Sequence, residues 1–127
     1  MSVRLNHTIV HAHDKQETAR HLVEILGLPA PTSFGPFLVV QVGNDVSLDV
    51  ADDPRDPCPQ HYAFLVSEEE FDAIHARIRD RDVDWWADPF HRRPGEVNTN
   101  DGGRGLYWND PNGHNLEILT VPYGGWA

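Results

Sequence analysis

Residues 107–118 read Tyr107-Trp108-Asn109-Asp110-Pro111-Asn112-Gly113-His114-Asn115-Leu116-Glu117-Ile118, and how this stretch folds decides the architecture of the chain. Asp110-Pro111-Asn112-Gly113 has the residues of a tight turn: proline presets φ, the short polar side chains bond nearby backbone, and glycine accepts a positive φ. A strand then starts near residue 115, so the turn determines which way Glu117 points. Side chains alternate across a strand, so Glu117 opposes Leu116 and Ile118. The aliphatics belong to a core and the acid to the other surface.

The same arrangement stands earlier in the chain as Leu48-Asp49-Val50. Working outward from these two acids reveals a repeat. In the first half, residues 3–10 are rich in β-branched and apolar types. Asp14 with Glu17 resembles a capping box, and Ala19, Leu22, Val23 and Leu26 mark a helical face ending at Gly27. Phe37 to Val42 and Val46 to Val50 form a hairpin across Gly43-Asn44-Asp45. The segment from Asp52 to Gln60, with three prolines, is a linker. In the second half, His61 to Val66 is strand-like, and Ser67 with Glu70 forms a second capping box. Phe71, Ile74 and Ile78 mark a helix to about Asp82, followed by extended segments at 83–86, 104–109 and 115–121. Each half is a strand, a helix and two or three strands, which predicts an α+β chain of 127 residues, one domain with modules at about 1–53 and 60–127.

His7 precedes Asp14 by seven positions and His61 precedes Ser67 by six, so each histidine holds the same place in its own copy. On the second strand His61 shares a face with Ala63 and Leu65, opposite the bulky Tyr62, Phe64 and Val66. Histidines and acids therefore line the surface away from the helix. A carboxylate there among apolar neighbours is costly to desolvate without a compensating cation. Two imidazoles and one carboxylate are a donor set that borderline divalent ions accept, with positions left for water or substrate. The expected ligands are His7, His61 and Glu117. The metal is left open among Fe, Mn, Ni, Co and Zn. Asp49, one methylene shorter, has three open roles: fourth ligand or base, holder of a bound water, or acceptor for a ligand histidine.

Composition excludes other classes. Twenty acidic against ten basic side chains give a net charge of −10, which repels nucleic-acid phosphates and anionic lipid headgroups. The single cysteine, Cys58, cannot form an internal disulfide, and the terminus MSVRLNHTIV has no signal-peptide pattern, so a cytoplasmic location is expected. No run reaches the roughly 20 apolar residues of a membrane span.

Asn6-His7-Thr8-Ile9, His61-Tyr62-Ala63-Phe64 and the 107–117 stretch together resemble the glyoxalase, bleomycin-resistance and extradiol-dioxygenase superfamily, the vicinal oxygen chelate proteins. The resemblance covers essentially the whole chain. It implies two βαβββ modules whose curled mixed sheets enclose a metal-binding funnel, and it implies homodimers. It also implies Lewis-acid activation of a small oxygen-bearing substrate by an isomerase, a lyase or a dioxygenase.

Leu106-Tyr107-x-x-Asp110-Pro111-x-Gly113-x-x-x-Glu117 is similar to the extradiol dioxygenase signature, in which the tyrosine contacts substrate. That signature expects a histidine where this chain has Asn98, Thr99 and Asn100, which lowers ring cleavage. Arg104, and the pair Arg92-Arg93, supply positive charge for an anionic substrate, without a loop motif specific to fosfomycin-modifying relatives. The polar segment from Ala87 to Gly103 is expected as a lid, and Trp85, Trp86 and Trp108 suggest a planar or aromatic substrate. Substrate-facing or acid–base candidates are thus Tyr107, Arg104, Trp108 and His11, the last on the strand face of His7. The other histidines, His114 among them, are expected at the surface or behind the ligands. The competing reading is a metal-free resistance protein of the bleomycin type that sequesters a cationic drug.

Overall fold

A computed structural model describes residues 2–124 of the chain. The fold divides into two compact units, Met1–Cys58 and Pro59–Ala127, and the division falls within the proline-rich stretch.

In the first unit the order is β1 (His7–Ala12), α1 (Lys15–Leu26), β2 (Thr32–Phe34), β3 (Phe37–Gln41) and β4 (Ser47–Asp52). The strands lie as β1-β4-β3-β2, with β1 and β4 parallel and the other pairs antiparallel. Asp14 caps α1 by accepting from the N–H of Gln16, the second helical residue, rather than through a full box with Glu17. Gly27 ends the helix at φ 71°, its N–H bonding the Val23 carbonyl. Ala19, Leu22 and Ile25 from the helix are buried, as are Val10, Val40, Leu48 and Val50 from the strands.

The second unit repeats this plan: β5 (His61–Leu65), α2 (Glu68–Asp80), β6 (Trp85–Trp86), β7 (Gly105–Asn109) and β8 (Asn115–Leu119), ordered β5-β8-β7-β6. Here the capping box is complete, Ser67 Oγ accepting from Glu70 N–H while the Glu70 carboxylate accepts from Ser67 N–H. Such a cap stabilises a helix by about 1 kcal/mol. Phe71, Ile74 and Ile78 are buried, with Leu106, Trp108, Leu116 and Ile118 of the strands.

Both units are therefore βαβββ modules with a four-stranded mixed sheet, an α+β fold. Two details differ from the sequence expectation. β1 begins at His7 rather than at residue 3, and β2 is a three-residue strand whose side chains are all exposed, so no alternation announced it.

Candidate metal centre

The register of the two sheets shows how closely the halves repeat. In the first, Ile9 pairs with Asp49; in the second, Ala63 pairs with Glu117. Each acid thus lies beside the residue two positions after the histidine. Across the second sheet one row runs Ala63, Glu117, Tyr107, Trp86, and the next runs His61, Asn115, Asn109. Since neighbouring strands present register partners on one face, these side chains share the surface opposite Leu116 and Ile118.

On that surface His61 and Glu117 meet, Nε2 lying 3.1 Å from Oε1. The imidazole is about half exposed, while the carboxylate is 6 % exposed. The other ring nitrogen, Nδ1, lies 2.7 Å from the Asn115 carbonyl oxygen. A carbonyl only accepts, so Nδ1 carries the proton and donates it. In a neutral imidazole Nε2 is then a bare lone pair facing a carboxylate oxygen, an arrangement that requires a cation, either a second proton or a metal ion.

Tyr107 completes the group. Its hydroxyl donates to the Glu117 carboxylate, and its ring lies over His61 with centroids 6.0 Å apart and planes 27° from parallel. Burial pushes the phenol well above its ordinary pKa, and the negative charge and hydrogen bond of Glu117 push the same way, so the hydroxyl keeps its proton.

In the first unit His7 stands exposed at the start of β1, with Nδ1 2.7 Å from Asn6 Oδ1. Asp49 accepts from Ser47 Oγ at 3.0 Å. His11 faces Asp53, Nδ1 to Oδ2 3.5 Å. Among the described residues no cluster of three or more His, Cys, Asp or Glu side chains is brought together; what is brought together is the pair His61 and Glu117.

Other sequence candidates have different surroundings. Trp108 is 0 % exposed, because alternation next to Tyr107 sends its indole into the core. Arg104 is held by two carboxylates of α2, 2.7 Å from Glu68 and 2.9 Å from Asp72, and its guanidinium lies over Phe71 at 4.3 Å. His114, expected at the surface or behind the ligands, is fully buried. Its Nδ1 accepts from Gln60 N–H at 3.0 Å, and its ring meets Tyr62 edge-on. The turn before it forms as its residues dictate: Asp110 Oδ1 accepts from the N–H groups of Asn112 and His114, and Gly113 adopts φ 87°.

The segment after β6 is built around Asp88, whose carboxylate accepts from Arg92 and Arg93 N–H. Burial works against the Asp88 charge, but these backbone donors outweigh it and hold the carboxyl below its usual pKa. His91, beyond any signal in the sequence, stacks on Trp86 with centroids 3.7 Å apart and planes 8° from parallel. Asn98, at the signature's missing histidine, is buried and donates to the Ala87 carbonyl at 2.8 Å.

Beside Glu117 is a cavity of about 350 Å³ whose lining includes Asn98, Tyr107, Glu117, Leu119, Val121 and Tyr123. That is the lower end of the range for small-molecule sites. No helix among the described residues is long and apolar enough to cross a membrane.

No family model matches the chain. Individual proteins do. A solved structure described as the oxidase ChaP-H1 is 67 % identical, covers 98 % of this chain and 100 % of its own, and superposes with a TM-score of 0.96. The glutathione transferase FosA of Serratia marcescens is 28 % identical over 120 residues, 90 % of this chain and 78 % of its own length. A glyoxalase/dioxygenase structure from Nostoc punctiforme, at 21 % identity, shares the fold alone, with a TM-score of 0.72 over 94 % of this chain and 91 % of its own. With the paired βαβββ modules, these similarities make the chain a member of the vicinal oxygen chelate superfamily.

Proposed function

We propose that the chain is a divalent-metal-dependent enzyme that oxidises a small oxygen-bearing molecule, with His61 and Glu117 as protein ligands. The observation that carries this reading is the His61 lone pair facing a nearly buried carboxylate, a donor pair aimed at a common cation. Support for oxidation, rather than isomerisation or thiol addition, comes from the 67 % identity to an oxidase. Lewis acidity toward the oxygen atoms of a bound substrate is what an ion in this position supplies.

The protein's own groups have separable tasks. Asn115 fixes the ring of His61 through its carbonyl, and Tyr107 fixes the carboxylate of Glu117. Because the Tyr107 phenol keeps its proton, it serves as a hydrogen-bond donor at the cavity wall. Leu119 and Val121 add an apolar side to that wall. Arg104 also borders the cavity, but Glu68 and Asp72 already neutralise it, which favours an uncharged substrate over a phosphonate or a glutathione carboxylate. Asp49 bonds to Ser47 and serves the first module rather than the ion. The working species is a homodimer, as the superfamily resemblance implies.

Metal analysis after purification without chelators tests the reading. About one divalent ion per chain is expected for the parent. His61→Ala and Glu117→Gln should lose it, and light scattering should give twice the mass of one chain. A parent chain that takes up no metal, or variants that keep it, would refute the proposal and leave the drug-binding alternative.

A further inference from the structure

The segment 88–93 is more ordered than a surface connection requires. Asp88 ties it with bonds of 2.8 Å to both Arg92 N–H and Arg93 N–H, and His91 at its centre has a φ of 59°. For a residue with a β-carbon that left-handed conformation is strained, and it persists only where surrounding contacts impose it. The contacts here present the imidazole flat against Trp86, whose register partner is Tyr107 and which stands in the row containing Glu117.

The edge of that imidazole is also engaged. His91 Nε2 lies 3.1 Å from Asn115 Oδ1, and Asn115 Nδ2 donates to the Pro89 carbonyl at 3.2 Å. The second bond identifies which end of the amide is the acceptor, so His91 Nε2 is the donor in the first. Asn115 is therefore gripped by two bonds to the same segment. Its backbone carbonyl, 2.7 Å from His61 Nδ1, is what orients the ligand ring.

We propose that His91 and Asn115 are positioning residues: stacked on Trp86 and bonded to the Asn115 amide, His91 holds the first residue of β8 so that its carbonyl keeps His61 Nε2 aimed at Glu117. The inference rests on the metal reading above. His91 touches neither the ion nor the substrate cavity; it acts through Asn115. Partners behind a metal ligand typically affect affinity tenfold or more.

Zinc titration of the full-length chain by calorimetry, with thermal unfolding measured alongside, tests it. His91→Phe keeps a flat ring on Trp86 and removes the donor, whereas His91→Gln loses the ring and keeps an N–H at similar reach. Positioning predicts zinc binding weakened about tenfold in His91→Phe and in Asn115→Ala, with His91→Gln within about twofold of the parent. Packing alone predicts the reverse order for the two His91 variants, and that result overturns the proposal. In nitrogen-15 spectra of the zinc-loaded chain, a slowly exchanging His61 Nδ1–H is expected in the parent and His91→Gln and should be lost in His91→Phe. If His91→Phe does not fold, parent-like zinc affinity in Asn115→Ala overturns the proposal equally. Should His61→Ala and Glu117→Gln bind zinc like the parent, the metal reading itself fails and takes the positioning role with it. Loss in those two but not in His91→Phe or Asn115→Ala sinks the positioning role alone.

Discussion

Replacing Tyr107 by phenylalanine removes one oxygen atom and leaves the ring in place over His61. The oxygen lost is the donor to Glu117, a carboxylate 6 % exposed whose other neighbour is His61 Nε2. A hydrogen bond to a charged acceptor contributes about 1.5–3 kcal/mol, and the partly exposed position of Tyr107 places this one toward the lower end, about 1.5–2 kcal/mol. For a chain of 127 residues that corresponds to a melting midpoint lower by roughly 5–10 °C. Urea unfolding followed by tryptophan fluorescence reads the second unit directly, since Trp85, Trp86 and Trp108 belong to it. The midpoint should fall with the slope unchanged. Because the phenol's pKa is raised in the folded state, its contribution is fully present below the ordinary tyrosine value of 10.0 and is lost only as pH rises through the folded value. The difference between Tyr107→Phe and parent should therefore stay constant from neutral pH up to the ordinary tyrosine value of 10.0 and shrink above it. A double cycle with Glu117→Gln should show coupling of about 1 kcal/mol or more. A loss below about 0.5 kcal/mol, ordinary for a surface position without partners, would refute the assigned bond.

Glu70 offers a test of opposite sign. Its bonds to Ser67 hold its pKa below 4.5, so its stabilising effect is present above that value and disappears as pH falls through the folded one; urea curves of Glu70→Gln and parent should converge in acid. Gly103→Ala places a Cβ 2.7 Å from both Thr120 Oγ1 and Val121 Cγ2 and should destabilise the second unit by about 1–3 kcal/mol, read by thermal unfolding. Asn98→Ala strips the Ala87 carbonyl of its buried partner, at a cost of about 1–3 kcal/mol, and should speed limited proteolysis within the segment from Ala87 to Gly103.

Much of the fold was legible because its signals are local. Asp14 and Ser67 cap the helices they precede, Gly27 ends the first at a positive φ, and Asp110 folds the turn that launches β8. Alternation placed Glu117 opposite Leu116 and Ile118, and the similar spacing of His7 and His61 from their helix caps, seven and six positions, exposed the repeat. Where local pattern was absent, the reading stopped: β2 has no buried side to betray it.

By itself, then, the sequence determined the modules, their register-defining alternation and the identity of the ligand candidates, since these depend on residues a few positions apart. Tertiary structure alone decided the partners. Parallel pairing of β5 with β8 brought His61 to Glu117 across 56 positions. The same kind of long-range closure tied Arg104 to α2, buried His114 against Gln60 and laid His91 on Asn115. Side-chain chemistry is written in the chain, but which charges and hydrogen-bonding groups meet is set by strand pairing and packing between segments that sequence spacing does not relate.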